Sequence, residues 1–109
     1  MLSYIYLIGA IIFEVFATIL LPFSKNFTKP IVSVIIVLSY SLSFYLLTFA
    51  LRGIPIAVVY STWAGAGIFL VTLFGYLIYD ENLQWQSFVG LLFIAMGVVI
   101  VNTFKSQKL

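Results

Sequence analysis

The residue with the clearest capacity for chemistry is a carboxyl set among oily neighbours. The stretch from Tyr4 to Leu21 is 18 residues long, apolar enough to cross a bilayer as a helix, and carries Glu14 a little past its middle. On insertion scales a charged side chain at such a depth costs about 2.5–3.5 kcal/mol. Glu14 is the only carboxyl, amine or guanidinium inside any of the chain's hydrophobic stretches, so no basic residue there stands ready to neutralise it. Its natural occupants are a proton or a cation from outside the chain. Burial in a low dielectric favours the neutral form of a carboxyl, and a neutral carboxyl cannot hold a cation. Competition between the two for one seat is therefore the chemistry this residue offers.

The neighbours of Glu14 fit that reading. Positions three and four apart share a helix face. The stripe through Glu14 holds Tyr6, Ala10, Ala17 and Thr18, while Ile5, Ile12, Phe16 and Ile19 lie mostly away from it. Ser33, Tyr40 and Ser43, with Leu47, form a comparable stripe in a second stretch, and Ile56, Tyr60, Trp63 and Gly67 do so in a third. Rings offer a cation stacking and cation–π attraction of about 0.5–2 kcal/mol each, and hydroxyls offer hydrogen bonds. Such faces suit a pocket for an aromatic organic cation. Interfacial anchoring is the other role open to Tyr60 and Trp63, but they lie five and eight residues into their stretch, deeper than most belt aromatics. Trp85, placed in a loop, is read as a belt residue, and Ser33, Ser39 and Ser41 as helix-packing groups. Gly65 and Gly67 sit near the middle of the third stretch. Close helix packing is the commoner use of such glycines, and a hinge beside the aromatic pair is the alternative.

The elements that must position these residues follow from composition. Of 109 residues, 64% are hydrophobic and 7% charged, too few charges to coat a soluble domain. With no cysteine and no histidine, disulfides, thiol chemistry and the usual zinc sites are excluded, and no cofactor is expected. The net charge of +2 is spread over loops and does not suggest nucleic-acid binding. The chain reads as one transmembrane domain, 1–109, with apolar stretches at about 4–21, 31–51, 56–79 and 87–104. Between them lie Pro22 to Pro30, the turn Arg52-Gly53-Ile54-Pro55 and the polar Asp80-Glu81-Asn82. Asn26-Phe27-Thr28 matches a glycosylation sequon but lies too close to two stretches to be read as one. The first stretch is not read as a cleaved signal peptide, since it lacks a basic leader and contains an acid. Lengths of 18 to 24 residues give about 27–36 Å of helix, matching a hydrocarbon core of about 30 Å, whereas membrane strands are shorter and alternate. The expected fold is an all-α integral membrane protein with four transmembrane helices.

Orientation is nearly unspecified. Arg52, Lys105 and Lys108 fall on one side and Lys25 and Lys29 on the other, so the basic bias that fixes topology is almost absent. A weak preference for the N-terminus inside and insertion both ways round, which permits an antiparallel dimer, both remain open on this count. In the fourth stretch Gly90 and Gly97 share a face with Leu91, Ile94 and Val98 around them, a groove for another helix and most simply for a second copy. A dimer would place two Glu14 side chains around one cavity.

Taken together these residues resemble the small multidrug resistance family of bacterial inner-membrane transporters. The likeness runs through Tyr4-Ile5-Tyr6-Leu7, Glu14-Val15, Phe23-Ser24, Phe27-Thr28, Ser43-Phe44 and Ile54-Pro55. Its most specific piece is Tyr60-x-x-Trp63-x-Gly65-x-Gly67, and Gly90, Gly97-Val98 and Asn102 complete it. The resemblance implies an antiparallel, dual-topology homodimer in the inner membrane that exports cationic drugs, quaternary ammonium compounds among them, in exchange for protons. It implies that Glu14 binds both, that Tyr40, Tyr60 and Trp63 line the pocket, and that the fourth helix dimerises. Some relatives pair with a homologous chain instead. Two departures stand out: Pro22 where many members have Lys, and Ala17 where Gly is common. The guanidinium-exporting branch tends to carry Trp two residues after its glutamate, where this chain has Phe16, and the Tyr40 region also looks more like the drug-exporting branch.

Three other classes fit these residues less well. A structural or regulatory subunit would need a static partner for Glu14, and none of the stretches holds one. A lipid-modifying enzyme would need more than a solitary carboxyl. A passive cation channel normally places acids in a ring at a pore mouth.

Overall fold

The computed structural model describes residues 2–104 and contains four long helices: α1 (Leu2–Leu20), α2 (Pro30–Ala50), α3 (Ile56–Tyr79) and α4 (Trp85–Thr103). Each is long and apolar enough to cross a membrane, and no strand occurs among the described residues. Lys105 and Lys108 lie outside the described residues.

The breaks fall where the backbone chemistry demands them. Pro22, which has no N–H to give, sits in a 3-10 turn over Leu21–Ser24 that closes α1. Pro30 occupies the first turn of α2, where a missing N–H costs nothing, and Pro55 precedes α3. Asp80 ends α3 in the left-handed conformation, φ 54°, and the following N–H of Glu81 closes on the carbonyl of Gly75. Most boundaries fall within one residue of the sequence expectation, and two starts differ by more. Both α1 and α4 begin two residues earlier, so Trp85 is the first residue of α4 rather than part of a loop. Gln84, extended at φ −71° and ψ 158°, supplies the break just before it. A helix end is still where an interfacial aromatic belongs.

Helix α1 lies at the centre, packed against α2 and α3, while α4 packs chiefly on α3. The core joins Leu7, Ile11 and Val15 of α1 to Ala50 and Ile54 around the second turn and to Val58 and Val59 of α3. Outward-facing side chains such as Ile5, Ile12, Phe16, Leu38 and Phe93 remain exposed, which suits a surface solvated by lipid. Helix α4 has no buried residue.

Polar side chains stitch the helices together. The Ser43 hydroxyl, fully buried, donates to the Ala10 carbonyl at 2.7 Å, joining α2 to α1. The Tyr79 hydroxyl donates to the Ile19 carbonyl at 2.7 Å, tying the end of α3 to that of α1. Asn102 of α4 accepts from Tyr4 at 2.7 Å and donates to Thr62 at 2.8 Å, linking three helices at the opposite end. Hydrogen bonds between membrane helices average about 0.6 kcal/mol and reach about 1.7, so these four contribute on the order of 2–3 kcal/mol together.

Candidate functional site

The site forms where α1, α2 and α3 meet. Thr18, one helical turn beyond Glu14, donates to its Oε1 at 3.3 Å. The same hydroxyl lies 2.7 Å from the Tyr40 hydroxyl of α2. A threonine has one proton to give, so once Thr18 donates to Glu14 the tyrosine is the donor in the second bond. A relay Tyr40 to Thr18 to Glu14 results, with each donor oriented toward the carboxyl.

The second carboxyl oxygen, Oε2, is buried and has no hydrogen-bond partner, and the same is true of the indole Nε1 of Trp63. Gly67 of α3 makes room for that oxygen: a Cβ built there would stand 3.2 Å from Oε2. In front of these groups opens a cleft of about 340 Å³, walled by Glu14, Thr18, Trp63, Ala64, Gly67, Ile68, Val71 and Thr72. An unsatisfied carboxylate oxygen away from water is costly, and a proton or a bound cation removes that cost.

Trp63 is the partition between this cleft and a second groove of about 360 Å³ that is lined by Phe44, Leu47, Val59 and Tyr60 among others. Its ring centroid lies 5.9 Å from that of Tyr60 and 6.1 Å from that of Phe44, both tilted. Tyr60 is 67% exposed. These rings present an aromatic wall that continues outward from the carboxyl.

Other residues singled out in the sequence are placed elsewhere. Ala10 and Ser43 are fully buried and bonded to one another across the α1–α2 contact, so the structure puts them behind the cleft as packing rather than on its wall. Tyr6 stacks on Phe49 with centroids 5.1 Å apart and planes 25° apart, again in the α1–α2 seam and outside the cleft. The reason is geometric: the stripe through Glu14 is wide enough to face two helices, and α2 covers its N-terminal half. Gly65 turns toward α4, where a Cβ would meet Val98 Cγ2 at 2.5 Å, and Gly67 turns toward Glu14; α3 runs unbroken through both. Gly90 and Gly97 face open space, with nothing within 4 Å of a built Cβ. Ala64, Ile68, Val71 and Thr72 were absent from the sequence reading. Continuing the Trp63–Gly67 spacing by four reaches Val71, and the parallel row Ala64–Ile68–Thr72 follows the same rule.

A family model described as Small Multidrug Resistance protein matches residues 2–94. Quaternary ammonium compound-resistance protein QacE of Escherichia coli is 36% identical over 108 residues, covering 99% of this chain and 98% of its own. Multidrug transporter EmrE of Escherichia coli (strain K12) is 39% identical over 99 residues, 91% of this chain and 90% of its own. Multidrug resistance protein EbrA of Bacillus subtilis (strain 168) is 37% identical over 102 residues, 94% of this chain and 97% of its own.

Proposed function

The chain belongs to the Small Multidrug Resistance family, a multi-pass protein of the bacterial inner membrane, and on that premise we propose that it exports hydrophobic, aromatic cations such as quaternary ammonium compounds in exchange for protons. The observation that carries the reading is the unpartnered Oε2 of Glu14 at the head of a cleft walled by Trp63. A cation entering that cleft finds one negative charge, an aromatic face within reach and apolar walls beyond. A proton on the same carboxyl removes the charge and ejects the guest.

Coupling follows if only a loaded carboxyl allows the protein to change the side it faces. Two chains, related in antiparallel fashion, would close the open side of the cleft and set two Glu14 residues around one guest. The rings of Tyr60, Trp63 and Phe44 favour a large apolar cation over guanidinium, which is too small to cover them and asks for more hydrogen-bond acceptors than one carboxyl supplies.

The test is direct. Binding of a quaternary ammonium compound to the purified protein weakens as pH falls, and Glu14→Gln abolishes both the binding and its pH dependence. In vesicles the same variant no longer exchanges the cation for protons. Exchange that survives in the glutamine variant overturns the reading, and so does protection of cells against guanidinium but not against quaternary ammonium compounds.

A further inference from the structure

A groove on the outer surface lies away from the Glu14 cleft. It holds about 530 Å³ between α1 and α3, with Ile12, Phe16 and Ile19 on one wall and Leu70, Phe74 and Ile78 on the other. At its lower end Leu20 and Phe23 are shared with a second depression of about 450 Å³, whose remaining walls are Lys29, Pro30, Ile31 and Val32. The two adjoin at Leu20 and Phe23, and taken together they make a channel whose walls are apolar except at Lys29.

Its dimensions are those of a lipid. From Ile12 to Leu20 along α1, and from Leu70 to Ile78 along α3, the walls run about 12 Å each. One leaflet of the hydrocarbon core is about 15 Å deep. The channel also ends on the right side of that leaflet, where the α1 and α3 C-termini and the α2 N-terminus meet the loops. Tyr79 fixes its width at this end, through its bond to Ile19 and its ring 5.6 Å from that of Phe23.

Lys29 is held in place by its backbone. Its N–H donates to the Ser24 carbonyl at 3.1 Å, and its own carbonyl accepts from both the amide and the hydroxyl of Ser33. The side chain forms no ion pair among the described residues. Asp80 and Glu81 share this side of the bundle but line neither depression, and the Glu81 carboxyl is turned against Gly75.

We propose that this channel binds one phospholipid of the bilayer with an acidic headgroup, an acyl chain lying between α1 and α3 and the phosphate resting on Lys29. Charge complementarity selects the headgroup, and the apolar walls hold the chain. A second copy of the protein covering the groove would leave no room for it.

The full chain is reconstituted in vesicles of equal phosphatidylglycerol and phosphatidylcholine and released in mild detergent, and retained lipid is counted by native mass spectrometry. Phosphatidylglycerol is retained in preference by about fivefold, the effect of one lysine near a membrane surface. Lys29→Gln brings the ratio close to unity, Lys25→Gln keeps most of the preference, and Ile12→Trp, which fills the groove, lowers retention of both lipids. Circular dichroism confirms that each variant keeps its helices. The proposal is overturned if the unaltered protein retains no lipid or shows no preference. It is equally overturned if Lys25→Gln costs as much as Lys29→Gln, or if Ile12→Trp retains lipid undiminished. Because the readout is bound lipid, none of these outcomes depends on what the Glu14 cleft carries.

Discussion

Gly67 lies against the carboxyl of Glu14 so closely that one added methyl group would stand 3.2 Å from Oε2. Such a contact is tighter than most that a Cβ makes, and glycine leaves the acid on the neighbouring helix that much more room. It sets how far the carboxyl can swing and how much of the cleft is left for a guest.

Gly67→Ala therefore tests the cleft without dismantling the bundle. The atom in the way is the far end of a flexible side chain, which can yield by a few tenths of an ångström, so the thermal transition moves little. The carboxyl is displaced from a Thr18 bond that is already long at 3.3 Å. Affinity for a quaternary ammonium compound falls about tenfold, or about 1.4 kcal/mol, by equilibrium binding.

Thr18 sits between two partners, and its loss is felt by both. Thr18→Val keeps the shape and removes the bonds to Glu14 and Tyr40, while Tyr40→Phe removes only the second. Each hydrogen bond is worth about 1 kcal/mol, so Tyr40→Phe weakens cation binding about fivefold and Thr18→Val somewhat more. The double variant costs less than the sum, because both changes remove the same Tyr40–Thr18 bond. A double-mutant cycle on the dissociation constant measures the shortfall.

What was legible in the sequence, and what was not, divides along the same physical lines. Span lengths and Pro positions placed the four helices to within two residues, because hydropathy and a missing N–H act locally. Glu14, Thr18, Trp63 and Gly67 converge as their spacing suggested, since residues on one face of each helix must meet when those faces meet. Helical spacing does not say which neighbour a face will meet, and so Ser43 went to the Ala10 carbonyl and Tyr6 to Phe49. The Tyr4–Asn102 bond joins residues 98 apart and has no local signal at all. The turn after α1 was hidden for another reason. Lys25, Asn26 and Phe27 all adopt positive φ without a glycine among them, held by the buried Ser24 hydroxyl, which accepts from the Phe27 N–H at 3.2 Å.

Gly90 and Gly97 separate folding from assembly. Neither has a neighbour within 4 Å, and α4 has no buried residue, so leucine at both positions leaves the single chain undisturbed. If a second copy packs its own α4 there, the added side chains hold the two helices apart. The double variant keeps its helix content by circular dichroism but loses the crosslinked dimer, and transport goes with it. A dimer that persists at undiminished yield places the contact elsewhere.

Gly65 makes the opposite case, a glycine whose neighbour belongs to the same chain. A Cβ there would stand 2.5 Å from Cγ2 of Val98 and 3.5 Å from Cγ2 of Ile94. Val98 is branched at Cβ and stiff about χ1, so it cannot swing aside as a longer side chain would. Gly65→Ala must push α4 away from α3, an overpacking that costs about 1–3 kcal/mol and lowers the thermal transition. The strain has one identifiable source, and trimming it should restore the contact: Gly65→Ala with Val98→Ala recovers most of the lost stability, although Val98→Ala alone destabilises by leaving a gap. Such reciprocal rescue ties the effect to the α3–α4 contact. If Gly65 were needed for bending instead, the second change would restore neither stability nor transport, and the pair of melting curves with one transport assay distinguishes the two.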